Sequence, residues 1–186
     1  MLGVDNATLS LNGTAVELIK DADSGKWHAK NDDGARVEHR TGGWSDDDDK
    51  EYWVVTTVDG TAYYFGRDKR TEADTRLNST WTVPVFGNHP GERCYAPAFK
   101  DSRCQQAWRW NLDYVVDPLG NTMTYRYVRD SAAYQVGEGP GTANYNPGGY
   151  LARIEYGTRR GSDVGGKAPA VVDFTSVTRA CLPYLG

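Results

Sequence analysis

Strand-turn-strand patterns recur along this chain, each marked by a glycine-bearing turn between runs of period-two alternation, and they leave little room for helix. In ATLSLNGTAVELI, Leu9 and Leu11 alternate with Thr8 and Ser10. Asn12-Gly13 then supplies the positive φ values of a type I′ turn, and Val16 and Leu18 return on the far strand. KWHAKNDDGARVEH repeats the scheme, with Trp27 and Ala29 before Asp33-Gly34 and Val37 and His39 after it. In EYWVVTTVDGTAYYFG, Trp53, Val55 and Thr57 face one way and Val54, Thr56 and Val58 the other. Asp59-Gly60 then turns the chain into Tyr63, Tyr64 and Phe65. Apolar groups on both faces predict a hairpin covered on both sides.

The longest pattern starts at Trp108. Trp108, Trp110, Leu112, Tyr114 and Val116 are expected on one face and Arg109, Asn111 and Asp113 on the other. Asp117-Pro118-Leu119-Gly120 has the chemistry of a type I turn, with Pro preset at the second position, and Met123, Tyr125 and Tyr127 answer on the return strand. Two further strands are read in GYLARIEYG and PAVVDFT, and VGEGPGTANYNPGG, from 136, reads as a flexible loop. SRCQQAWRW could form one helical turn at most. The middle is irregular, with one strand candidate, STWTVPVFG, in which Pro84 argues for an edge or a bulge.

The expected fold class is therefore all-β, built of twisted antiparallel hairpins. Residues 1–186 form a single region, with three hairpins over 1–65, an irregular stretch over 66–106, a long hairpin over 107–130, and a loop with terminal strands over 131–186. The 21 Gly and 8 Pro agree, since each inside a helix costs about 1 or about 3 kcal/mol relative to Ala. With 6 Trp and 12 Tyr, the core must be aromatic. A net charge of -4, with basic residues scattered, gives no footprint for nucleic acid. No run of about 18 apolar residues predicts a membrane span. MLGVDNATLS has neither the basic nor the apolar region of a signal peptide.

Cys94 and Cys104 flank CYAPAFKDSRC and suit a disulfide worth about 2 to 3 kcal/mol. The competing readings are two reduced thiols and a zinc site, for which only His89 lies near. Cys181 is left over, and in an oxidising compartment its partner is expected outside this sequence. In WSDDDDK, Asp46 to Asp49 lack the alternating ligands and glycine of a calcium loop. DDDDK also spells an enteropeptidase recognition site, but between two strand candidates it reads as a solvated acidic loop. Asp113, Asp117, Glu155 and Asp173 lie on or beside strands, yet Asp113 is expected on a polar face and Asp117 in a turn, which leaves no catalytic pair. His28, His39 and His89 are isolated, and no serine or cysteine sits in a nucleophile elbow. No cofactor or metal is expected.

DYVVDPLGNTMTYRYVRD resembles the unit of the Rhs or YD-repeat family at Asp117, Pro118, Gly120, Asn121, Thr124, Tyr125 and Tyr127, and departs from it at Val128 and Arg129 before Asp130. DNATLSLNG, DGTAYYFG, STWTVPVFGN and QAWRWNLDYVVDPLGNTMTY resemble the segment ahead of the repeats in large Rhs-type polymorphic toxin proteins of actinobacteria. The resemblance implies a secreted or cell-surface β-shell that encloses a C-terminal toxin or other effector. This chain would then be a non-catalytic structural segment whose partners are the rest of the shell and its cargo. The alternative is a secreted carbohydrate-binding module that stacks sugars on surface aromatics, against which the regular alternation of the aromatics argues for a core role.

Overall fold

The computed structural model describes residues 7–136 and 141–177. Asn12 (φ 52°) and Gly13 (φ 79°) make the tight turn joining β1 (Ala7–Leu11) to β2 (Thr14–Lys20). The second hairpin is looser than its sequence suggests. β3 (Trp27–Ala29) meets β4 (Arg36–Arg40) at one register pair, Trp27 opposite Val37. The intervening loop is held by Asp32 and Asp33, which accept the N–H groups of Gly34 and Ala35. β5 (Tyr52–Thr56) and β6 (Ala62–Phe65) follow as expected, and Gly60 donates to the Thr57 carbonyl at 2.8 Å with φ 85°. That is a type I turn closed by a left-handed glycine.

Two excursions interrupt this meander. After β6 the chain leaves to form a ribbon of β7 (Thr80–Phe86) and β8 (Arg103–Trp110), then returns as β9 (Leu112–Val116) beside β6. β10 (Asn121–Arg129) pairs with β9, and a second ribbon of β11 (Ala132–Gln135) and β12 (Thr142–Tyr145) precedes β13 (Gly149–Arg159) and β14 (Ala170–Asp173). The result is an antiparallel ten-stranded sheet in the order β1-β2-β3-β4-β5-β6-β9-β10-β13-β14, with both ribbons attached. The ribbons dock on each other: Asn146 N–H donates to the Thr82 carbonyl at 2.8 Å, and the Asn146 side-chain carbonyl accepts from Thr82. Apart from one 3-10 turn at Phe99–Asp101, the regular structure of the described residues is all strand.

Trp53, Val54 and Val55 are each at most 5% exposed, so β5 is covered on both faces as its sequence requires. One face joins Leu18, Trp27, Val37, Trp53, Val55 and Phe65 in an aromatic core, with Trp27 and Trp53 edge to face at 5.0 Å. The opposite face carries Val54, Tyr64 and Tyr114 in adjacent register, the last two rings 5.7 Å apart.

Several expectations are corrected. SRCQQAWRW is strand, not helix, and with β7 it places a ribbon inside the stretch 66–106. Pro84 is on an edge strand, as expected, opposite Gln105 in the two-stranded ribbon, and the register shift falls away from it at Trp81/Thr82. TANY, within the stretch read as a loop from 136, is β12. Residues 137–140 and Cys181 lie outside the described residues. Trp108 to Val116 is not one alternating strand. β8 and β9 belong to different sheets, and between Tyr64 and Phe65 the register of β9 jumps from Tyr114 to Leu112. Asp113 is thus the extra residue of a bulge, and Tyr114 and Leu112 turn to opposite faces.

Gly66 (φ 74°) ends β6 against the ribbon, where an added Cβ would lie 2.3 Å from Trp110 Cδ1 and 2.9 Å from Thr80 Oγ1. Gly66→Ala is expected to lose about 1–3 kcal/mol from the left-handed backbone alone, with overpacking in addition, read as a lower urea midpoint at unchanged slope.

Candidate functional site

The YD-like residues organise one hairpin. Gly120 (φ 80°) donates to the Asp117 carbonyl at 3.0 Å, and Asn121 donates to the Asp117 carboxylate from its backbone and its side chain, each at 2.7 Å. These bonds, the Asn121 side-chain amide foremost, hold the Asp117 carboxyl below the usual carboxylate range. Pro118 lies against the Gly60 turn of the neighbouring hairpin. On the return strand Thr124 is fully buried, and its hydroxyl accepts from Arg70. Tyr125 packs with its hydroxyl toward the Met123 sulfur, and Tyr127 donates to the Leu112 carbonyl at 2.8 Å. Burial raises the pKa of both phenols. Every matched residue is thus engaged within the fold.

The acidic run is exposed at Asp46, Asp48 and Lys50, as a solvated loop would be, but Asp47 is buried and the run is tied down by its contacts. Asp47 is fully buried and accepts from the Ser45 hydroxyl at 2.5 Å and from the N–H groups of Asp49 and Glu51. Asp46 pairs with Arg76 at 2.9 Å and Arg129 at 2.8 Å. Burial opposes its ionisation, but the two guanidiniums outweigh that and hold its pKa down. Asp48 accepts from Gln105 N–H at 2.7 Å, and Asp49 binds Arg93 and Gln106. Lys50 (φ 55°) reaches back to the Ser45 carbonyl at 2.6 Å. Arg93 also pairs with Glu51 at 2.9 Å, next to the Cys94–Cys104 disulfide, whose Cα atoms are 5.2 Å apart. The run therefore joins the sheet, the β7–β8 ribbon and the disulfide loop. Among the described residues no group of three His, Cys, Asp or Glu is arranged to hold a metal ion.

Two buried charge clusters lie under residues 66–79, the segment between β6 and β7. In the first, the Arg70 and Asp74 side chains, 5% and 3% exposed, pair at 2.6 Å. Arg70 also binds the Asp163 carbonyl, and the Asp163 carboxylate accepts from Tyr114 at 2.5 Å. In the second, Asp113 Oδ2 accepts from Asp68 N–H and from the Ser79 hydroxyl, both at 2.7 Å. Asp68 in turn accepts from Ser79 N–H at 2.9 Å and pairs with Arg76. Asp113 is fully buried and its Oδ1 has no hydrogen-bond partner. Burial, reinforced by the Asp68 charge, pushes its pKa up to about 7 against the hydrogen bonds it receives and the charge of Arg67. Asp113 was expected on the polar face of an alternating strand; it is instead the fully buried extra residue of a bulge.

Comparison with known protein families, curated proteins and solved structures finds no match. The family resemblance accordingly rests on the residues quoted above. Of the other candidate carboxylates, Glu155 pairs with Arg126 at 3.0 Å and Asp173 with Arg153 at 2.6 Å.

Two clefts remain. A polar one of about 430 Å³ lies between the ribbons and Asp46, lined by Arg103, Gln105, Arg129, Asn144 and Asn146. Its groups bind one another, since Gln105 donates to Thr82 and Asn144 and Arg129 pairs with Asp46. An apolar one of about 480 Å³ opens between β1 and the Trp108–Leu112 segment, over Leu18, Val55 and Phe65. Sequence reasoning missed Asp47, Asp68, Arg70 and Ser79 because nothing local distinguishes a buried Asp from a turn Asp. The one available signal was the density of Asp and Arg in a stretch without strand periodicity.

DDDDK is locked in the native fold. Enteropeptidase is expected to leave the native protein uncut after Lys50 and to cleave it once urea unfolds the chain; cleavage of the native state at the same rate would show that the run is free.

Proposed function

We propose that this chain is a non-catalytic wall segment of a Rhs/YD-type β-shell, whose parent protein encloses a C-terminal toxin or other effector and is exported to the cell surface or beyond. The observation that carries the reading is the open ten-stranded meander. Among the described residues β1 and β14 each pair on one side only. Free-standing sheets blunt such edges with Lys, Pro or bulges. Here β1 reads ATLSL and β14 reads AVVD, whose one charge is taken up by Arg153. Val171 and Val172, 37% and 39% exposed, present apolar groups on successive positions of β14, and Phe174 follows at 45%. An edge of this kind suits lateral continuation by further strands of a shell.

A second line of support is that the single YD-like hairpin sits inside the sheet, between β6 and β13, paired with strands on both sides. Its motif residues are occupied with turn and packing contacts, as an architectural repeat requires. The glycan-binding alternative calls for a row of exposed rings; Trp27, Trp53 and Trp81 are at most 6% exposed, and the exposed Trp108, Tyr134, Tyr150 and Tyr156 are spread over β8, β11 and β13. Among the described residues no helix is long and apolar enough to cross a membrane, a statement that concerns helices alone.

The open edge predicts that the 186-residue protein self-associates in multi-angle light scattering, and that Val171→Lys with Val172→Lys shifts it toward monomer. A monodisperse wild-type monomer would count against the reading. The shell itself is tested on the natural reading frame. The expected outcome is a continuation into tandem strand-turn-strand units whose product is a hollow particle in electron micrographs; a frame that stops at Gly186 removes the proposal.

A further inference from the structure

Both ends of the 66–79 segment are tied to a single oxygen atom. Asp68 N–H, near its start, and the Ser79 hydroxyl, at its end, each donate to Asp113 Oδ2 at 2.7 Å. Around that point the segment closes on itself and on the sheet: Leu77 N–H donates to the Asp68 carbonyl at 2.8 Å, Asn111 N–H to the Ser79 carbonyl at 2.8 Å, and Tyr127 N–H to the Leu77 carbonyl at 2.9 Å. Leu77 is fully buried beneath it. Asp68 (φ 72°) and Asn78 (φ 58°) both hold left-handed backbone there, a conformation that needs such contacts to persist.

The pinning group is awkwardly charged. Asp113 is fully buried, its Oδ1 meets no donor, and no cation touches it. The Asp68 carboxylate shares Ser79 with it, Oδ1 of Asp68 accepting from Ser79 N–H at 2.9 Å. The groups that surround the pair are Arg67 and Arg76 from the segment itself and Tyr127 and Arg129 from β10. Of these, Arg76 is committed to Asp68 and Asp46, and Arg129 to Asp46. One proton on Asp113 Oδ1, the oxygen without a donor, removes the uncompensated charge and leaves Oδ2 free to accept both bonds. An ionised carboxyl in that place would be a buried charge next to a second one, which costs far more than a buried neutral acid.

We propose that Asp113, beside Asp68, is a proton-operated latch: the 66–79 segment stays docked on the sheet while Asp113 Oδ1 holds a proton, and loosens when both carboxyls are ionised. The sign follows from the geometry. Burial raises the pKa of Asp68 and of Asp113 above the ordinary carboxylate range, the latter to about 7. The docked state therefore binds the proton more tightly than the undocked state. Its extra stability is complete below about pH 4 and is lost as the pH rises through about 7, after which it levels off. Asp46, Asp74 and Glu51 have lowered pKa values, so their contributions change at more acidic pH.

The test is carbon-detected NMR titration of the Asp113 side-chain carboxyl in the intact chain, with hydrogen exchange of the Asp68, Leu77, Ser79 and Asn111 amides over the same range. A carboxyl midpoint well above 5 is expected. Corrected for intrinsic rate, protection of these amides should fall by up to tenfold per pH unit between about pH 4 and 7 and then flatten, while the Val55 amide changes less. Asp113→Asn keeps an acceptor for Asp68 and Ser79 but cannot ionise, and should flatten the profile. If that variant does not fold, the wild-type titration still decides. A midpoint near 4, or segment amides whose protection is independent of pH, overturns the latch. So does an Asp113→Asn protein that keeps the wild-type slope.

Discussion

A sheet with apolar groups on both faces must be covered twice, and the way this protein covers its second face governs most of the rest. The first face is closed by aromatic packing, Trp27 against Trp53 against Trp110, with Leu18, Val37 and Phe65 between the rings. The second face, Val54, Tyr64, Tyr114 and Thr124, has neither a helix nor a second sheet above it. Irregular chain covers it, and irregular chain brings unpaired N–H and C=O groups into a dry place, where each must find a partner.

Buried carboxylates and arginines supply those partners. Asp47 collects two backbone N–H groups, Asp68 and Asp113 fix the two ends of the 66–79 segment, and Arg70 satisfies the Asp163 carbonyl while paired with Asp74. Ion pairs of this kind add little net stability beside apolar packing, because desolvation offsets the attraction. What they add is definition: each loop has one arrangement in which its charges are matched. The same logic explains why the buried carboxylates Asp47, Asp68 and Asp74 are turned to backbone N–H groups and arginines, and why Asp113 is left with more burial than compensation.

The edges follow a different rule. The interior of the sheet is closely specified by cross-strand pairs such as Trp53 with Phe65 and Tyr64 with Tyr114, whereas the outermost strands are short and carry a single charge, Asp173, paired with Arg153. Edges so lightly guarded are what the wall-segment proposal builds on.

The hairpins were legible in the sequence because their causes are local. Asn12-Gly13, Asp59-Gly60 and Asp117-Pro118-Leu119-Gly120 each select a turn through φ preferences that act within four residues, and period-two alternation assigns faces to the strands beside them. The Cys94–Cys104 bridge was likewise within reach, since a short loop brings the two cysteines together. What the sequence alone could not supply was anything decided by a contact between distant segments. One added residue at Asp113 reverses the faces of Leu112 and Tyr114, and a bulge leaves no mark in the pattern because its cause is the register of the neighbouring strand β6. Whether Asp46 to Asp49 lie in solvent or under Arg76, Arg93 and Arg129 depends on residues 30 to 83 positions away. Turn chemistry is written in adjacent residues; burial, and with it the charge state of a carboxyl, is set only when the whole sheet has closed over it.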